Sequence, residues 1–172
     1  MKNMLPAHPI TRRVALFALA AFTLGLTLVS PTPAAADAPY RTANGYFGTT
    51  ISDVYTTLGT YNGDIYYREN LTFLYTGDLV GTATDVNYIV LHPDGSFESF
   101  ATEVCTGATL GGRNGSFTAT YFIIGQDFNN LIYTGYFAFT GGSGGLAGLS
   151  GTGTFGGANA NYSYSYNYRF GH

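Results

Sequence analysis

The stretch from Asn161 to Gly171, NYSYSYNYRFG, alternates without interruption between an aromatic residue and a small or polar one. Side chains of an extended strand point to opposite faces in turn. Tyr162, Tyr164, Tyr166, Tyr168 and Phe170 therefore share one face, and Asn161, Ser163, Ser165, Asn167 and Arg169 the other. Such a row has three destinations: the packed wall of a barrel, the lining of a ligand cavity, or an exposed surface that adheres to glycans or cell-wall polymers.

The chain beyond residue 37 has the same character. No segment shows a helical period with caps, and Gly, Thr, Tyr and Phe dominate, which favour strands and turns. Strand-like runs fall at 45–57, 64–76, 79–92, 96–106, 115–128, 130–140, 145–155 and 161–170. Turn signals separate them, among them Asn62-Gly63, Gly77-Asp78, Pro93-Asp94-Gly95, Gly111-Gly112 and Asn129-Asn130. Short connections between consecutive strands imply an antiparallel meander. About eight such strands with many aromatics predict an all-β fold, a single up-and-down β-barrel that closes on itself and so removes its edges.

The ends and the charge set the context. Lys2, Arg12 and Arg13 precede an apolar run of 16 residues, Val14 to Val29, and Ala34-Ala35-Ala36 follow it. This is the pattern of a signal peptide over residues 1–36, with cleavage before Asp37; the run is shorter than the roughly 20 residues that span a bilayer. The expectation is secretion, through the general export route ahead of the twin-arginine one, with residues 37–44 as an N-terminal extension and 45–172 as the barrel. Removing 36 of 172 residues leaves 136, enough for one domain. That portion holds four arginines, Arg41, Arg68, Arg113 and Arg169, against ten acids, a net charge of −6. An acidic balance argues against nucleic acid and anionic membrane as partners. Cys105 is the only cysteine, so no internal disulfide forms.

Alternation also proposes an interior. In 64–76 the residues Ile65, Tyr67, Leu71, Phe73 and Tyr75 share a face with Glu69 in their midst. An ionised carboxylate in apolar company must find a donor or take up a proton; tyrosine hydroxyls, Arg113 or Arg169 are the candidate partners, since Arg68 points to the other side. In 96–106 one face carries Glu103 and the other Glu98, so the register of that strand stays open. Phe122-Ile123-Ile124 and Phe137-Ala138-Phe139 are apolar on both faces, which points to contact with another subunit. Gly141-Gly142-Ser143-Gly144-Gly145 and Gly151-Thr152-Gly153-Thr154-Phe155-Gly156 match a nucleophile elbow and a dinucleotide loop in letters, but neither is followed by the helix that those sites require. His92 reads as a solvated turn residue and Cys105 as a small buried hydrophobe. No metal site and no cofactor signature are expected.

Several segments from Tyr75 onward resemble a known family. They are Tyr75-Thr76-Gly77-Asp78-Leu79-Val80-Gly81, His92-Pro93-Asp94-Gly95-Ser96-Phe97, Glu103-Val104-Cys105-Thr106-Gly107, Gly111-Gly112-Arg113-Asn114-Gly115-Ser116-Phe117, and the glycine-rich run from Gly141 to Phe155. The family is a group of bacterial domains of unknown function similar to allene oxide cyclase barrels and, more distantly, to plant dirigent proteins. The resemblance implies an eight-stranded antiparallel barrel, often oligomeric, with no established reaction. In the cyclase relatives an interior carboxylate helps to hold a reactive substrate; Glu69 and Glu103 are the acids here that resemble it.

Together these readings predict a secreted barrel that binds a small apolar or amphipathic molecule without catalysis. Tyr67, Glu69, Phe73, Tyr75, Tyr164 and Tyr166 are the expected ligand-binding residues, and Glu69 and Glu103 the candidate catalytic acids. The alternatives are an isomerase or cyclase that steers a reactive substrate, and a filled barrel serving structure or interaction.

Overall fold

The computed structural model describes residues 38–158 and 161–171, so the signal peptide expected over 1–36 lies outside the described residues. Eight strands follow in order: β1 (Arg41–Tyr61), β2 (Asp64–Gly77), β3 (Leu79–Leu91), β4 (Phe97–Leu110), β5 (Arg113–Asp127), β6 (Ile132–Gly144), β7 (Leu149–Ala158) and β8 (Asn161–Phe170). Each pairs antiparallel with the next, and β8 returns to β1 to close the barrel, from Arg41 opposite Tyr168 to Phe47 opposite Tyr162. Arg41 to Asn44, expected ahead of the first strand, thus form rungs of the closing ladder. The turn between β1 and β2 shows the local logic: Asn62 and Gly63 take φ of 52° and 92°, the left-handed pair that lets a two-residue hairpin match the strand twist.

The alternation of β8 resolves inward, and all five of its rings are buried. Tyr166 stacks between Tyr164 and Phe137, with ring centroids 4.6 and 4.4 Å away. Tyr168, Phe170, Phe117, Phe139, Leu79 and Leu110 fill the same region. The expected start of β7 at Gly145 is displaced to Leu149 because residues 145–148 form a turn that tucks Leu146 fully into the core, against Gly115 and Gly142. One half of the barrel is therefore packed solid.

β4 settles its open register in favour of Phe97, Ser99, Ala101, Glu103 and Cys105 inside. Small residues here leave room for large rings elsewhere, an arrangement set by the fixed interior of an eight-stranded barrel. The fit is close at Gly125, opposite Phe97, where a Cβ would run into the Phe97 ring. Gly125→Ala is expected to cost about 1–3 kcal/mol by overpacking, read as a shift in the urea midpoint.

Only one of the two supposedly two-sided strands is so. Phe137 and Phe139 both face inward with Ala138 between them, whereas Phe122 and Ile124 are exposed around a buried Ile123. Phe122 belongs to an outer row, Tyr88–Phe100–Phe122–Tyr136, in which each ring residue is the direct cross-strand partner of the next.

β1 is long for a structural reason. Beyond Phe47 it leaves β8 and keeps only β2 as a partner, with irregularities of register at Phe47/Thr49, Thr50/Ser52 and Thr57/Gly59. Extra residues of this kind bend a strand and increase its twist. Residues 48–61 are exposed throughout. The barrel is consequently less enclosed on this side, and that is where its cavity lies.

Candidate ligand cavity

The other half of the barrel is hollow. A cavity of about 110 Å³ is walled by apolar and aromatic side chains, including Phe47, Leu71, Phe73, Ile89, Ile123 and Phe155. Its solvent-exposed lining comes from the free part of β1, at Gly48, Thr50, Asp53 and Tyr55. Across from them the β5–β6 turn contributes Phe128 and Leu131, and the Tyr55 ring meets Phe128 edge-on at 6.1 Å. The mouth is thus framed by β1 on one side and this turn on the other.

Three carboxyls stand inside. Glu69 on β2 accepts a hydrogen bond from Asn87 Nδ2 at 2.8 Å and also bonds Tyr55 and Asp53 of β1. Asp85 on β3 accepts from the Tyr121 hydroxyl at 2.6 Å. Glu103 on β4 accepts from the Tyr75 hydroxyl, 3.1 and 3.0 Å from its two oxygens, and that hydroxyl lies 3.4 Å from Tyr166's. The strand register brings them together: Asp85 faces Glu103 across the β3–β4 ladder, and Asn87 faces Glu69 across β2–β3.

The expected cationic partners are absent from this group. Glu69 does not meet Arg113 or Arg169; Arg113 lies over the Phe170 ring at 4.0 Å and Arg169 over Tyr40 at 5.0 Å. A guanidinium is costly to desolvate, and these two stay at the barrel's periphery, where water reaches them. Burial without countercharge favours the protonated form of these acids. Burial pushes the Glu103 carboxyl well above the usual carboxylate range, with Asp85's charge adding to the effect. Glu69 is raised chiefly by burial, partly offset by its bonds to Tyr55 and Asn87. Burial also raises Asp53. Asp85 is pushed up to about 7, by burial first, against the pull of the Tyr121 bond.

The residues expected to bind ligand divide. Glu69, Phe73, Tyr75 and Tyr166 line the cavity, as does Glu103. Tyr67 lies beside it, stacked on Phe128 at 6.0 Å. Tyr164 is in the packed half, where its hydroxyl accepts from Leu79 N at 2.9 Å and reaches the carbonyl oxygens of Thr76 and Leu79 at 3.2 Å. Sequence reasoning did not single out Asp53, Tyr55, Asp85, Asn87 or Tyr121. His92 sits at the β3–β4 turn, partly exposed, with Nδ1 3.0 Å from Asp64, and Cys105 is fully buried with its thiol pushed up to about 12 by burial.

No family model matches the chain, and no curated protein matches it. Among solved structures the barrel is similar to a protein with unknown function from the DUF3224 family of Shewanella oneidensis. That similarity has a TM-score of 0.60 at 24% sequence identity and covers 77% of this chain and 98% of that one. At that identity the likeness shows the fold alone, a closed antiparallel barrel of eight strands.

Proposed function

We propose that the barrel is a binding protein that takes one small amphipathic molecule into its half-open cavity. The carrying observation is a cavity with aromatic walls and a few convergent polar groups, the usual composition of a small-molecule site. The packed half supplies rigidity, and the free stretch of β1 gives access. Export directed by residues 1–36 belongs to the same proposal; a mature protein beginning at Asp37 in the culture medium is the result expected from N-terminal sequencing.

The test is native mass spectrometry of the protein purified gently from its own host, followed by titration with benzyl alcohol as a defined small amphipathic probe. A co-purifying molecule that leaves on denaturation, or saturable binding of the probe, supports the reading. A bare protein that also ignores the probe ends it. Glu69→Gln is expected to keep a cooperative unfolding transition and to weaken the probe about tenfold, equivalent to about 1.4 kcal/mol, because it disturbs the Asp53–Glu69 contact at the mouth. Unchanged affinity would remove Glu69 from the site.

A second reading, steering of an isomerisation, draws on Asp85, a buried carboxyl brought near neutrality where it can both give and take a proton. Turnover that vanishes in Asp85→Asn while binding persists would favour it. For the expected homo-oligomer, the outer Tyr88–Phe100–Phe122–Tyr136 row is the apolar surface that supports the reading, and sedimentation velocity of the intact protein measures the state directly.

A further inference from the structure

Granting the binding role proposed above, the cavity's chemistry specifies what kind of molecule enters. Among the described residues its lining carries four acids, Asp53, Glu69, Asp85 and Glu103, and no Arg, Lys or His. Asp85 Oδ1 and Asn87 Oδ1 there have no hydrogen-bond partner among the described residues, although the two residues are only 3% and 4% exposed. They are two residues apart on β3 and so share its inner face. Asn87 Oδ1 is an acceptor, because Asn87 commits its amide nitrogen to Glu69, and Asp85 Oδ1 becomes one when Asp85 gives up its proton, its other oxygen already taking the Tyr121 hydroxyl. Buried acceptors without partners call for a donor.

The surrounding walls narrow the choice. From Tyr121 the rings run on through Phe155, 5.3 Å away, to Phe47 at a further 5.4 Å and Phe73 at 5.7 Å beyond that. Ring faces attract positive charge, most strongly where water is excluded. A metal ion does not suit the acids: among the described residues no group of three or more His, Cys, Asp or Glu side chains could hold one. An organic cation suits them, since it offers N–H donors to the oxygens, charge to the carboxyls and hydrocarbon to the rings.

We propose that the cavity takes a small organic cation, with a primary ammonium group at Asp85 and Asn87 and a compact hydrocarbon or aromatic body against Phe47, Phe73 and Phe155. Below about pH 7, where Asp85 holds its proton, binding ionises it, so each cation that enters there releases a proton. The other titratable groups lining the cavity are Asp53 and Tyr55 of β1, Glu69 and Tyr75 of β2, Glu103 of β4, Tyr121 of β5, Tyr133 of β6 and Tyr162 and Tyr166 of β8, with Tyr67 of β2 and Cys105 of β4 beside it. Asp53, Tyr55, Glu69, Tyr75, Glu103, Cys105, Tyr121, Tyr133 and Tyr166 are shifted upward, chiefly by burial. Asp85, brought to about 7, is therefore the group whose ionisation near neutral pH the cation drives.

Calorimetric titration of the intact protein with benzylamine and benzyl alcohol tests this, because the two probes match in size and differ in the charge of the head group. At pH 8 the amine, protonated at that pH, is expected to bind at least tenfold tighter than the alcohol. Its advantage shrinks by about tenfold for each pH unit below about 7, the slope of one displaced proton. Asp85→Asn is expected to abolish the preference, read as the ratio of the two probes' affinities. Should that variant not fold, the pH series on the unmodified protein still discriminates, through the presence or absence of that slope. Equal or tighter binding of the alcohol at every pH overturns the cation inference and leaves the binding reading standing, whereas binding of neither probe overturns both.

Discussion

Acidification from pH 8 to pH 5 is expected to raise the melting temperature of this barrel, the reverse of the usual response of a protein whose carboxylates are paired. The sign follows from Asp85. In the unfolded chain it ionises near its ordinary 3.8, while in the barrel it keeps its proton up to about 7. Between those values the unfolded state gains from ionisation and the folded state does not, so stability is greatest below the lower value and declines as pH rises through the window. Two pH units of that window, from 5 to 7, correspond to on the order of 3 kcal/mol, or roughly 10 °C in a domain of this size. Glu69, Glu103 and Asp53 are also raised by burial and act in the same direction. His92, raised by its bond to Asp64, favours the low-pH side too, but it is a surface group. Asp94 and Asp127 are lowered by hydrogen bonds from Ser96 and Asn130, so their contribution is lost only in stronger acid, where the curve turns over. Differential scanning calorimetry across this range measures the slope, and Asp85→Asn should flatten it. A melting temperature that is flat or falls between pH 8 and pH 5 would mean that the interior acids are not held protonated.

Tyr166→Ala is the substitution expected to destabilise the barrel most. Its side chain is 1% exposed, stacked between Phe137 and Tyr164 and edge-on to Tyr75 and Phe139. Removing it opens a void between the packed half and the cavity, at a cost of about 3–5 kcal/mol. Tyr166→Phe keeps the ring and gives up only the contact with the Tyr75 hydroxyl, which costs about 1 kcal/mol. Urea unfolding of the pair separates ring packing from the hydroxyl. If the alanine variant loses no more than the phenylalanine variant, the aromatic half is not what holds the barrel together.

The uneven legibility of the chain has physical causes. β8 is readable because a row of rings opposite a row of Ser and Asn has one apolar face, so period two decides its orientation. β4 offers an acid and apolar residues on each face, and its register is settled by neighbours: Ala101 and Ser99 are needed inside, where the side chains of Tyr121 and Ile123 stand opposite them. On β3 the face of Val80, Val86, Tyr88 and Val90 is the more apolar one, yet Val80 and Tyr88 are exposed and Ala83, Asp85 and Asn87 are inside. The signal for Asp85 lies in register rather than in composition, because it appears only once Asp85 is placed opposite Glu103. The bend of β1 is likewise a matter of pairing, set by irregular rungs that no residue type announces. A barrel with a hollow acidic half therefore emerges from cross-strand alignment, a non-local property that alternation along one strand does not carry.

The central claim, that the hollow half is a ligand site, is tested most directly by methyl-resolved NMR during titration with benzyl alcohol and benzylamine. The methyl groups of Leu71, Ile89 and Ile123 line the cavity, those of Leu79, Leu110, Leu146 and Leu149 lie in the packed half, and those of Val104 and Ile124 face outward. Saturable shifts confined to the first set are the predicted result. Shifts confined to the outward-facing set, or none at all with either probe, would contradict the account.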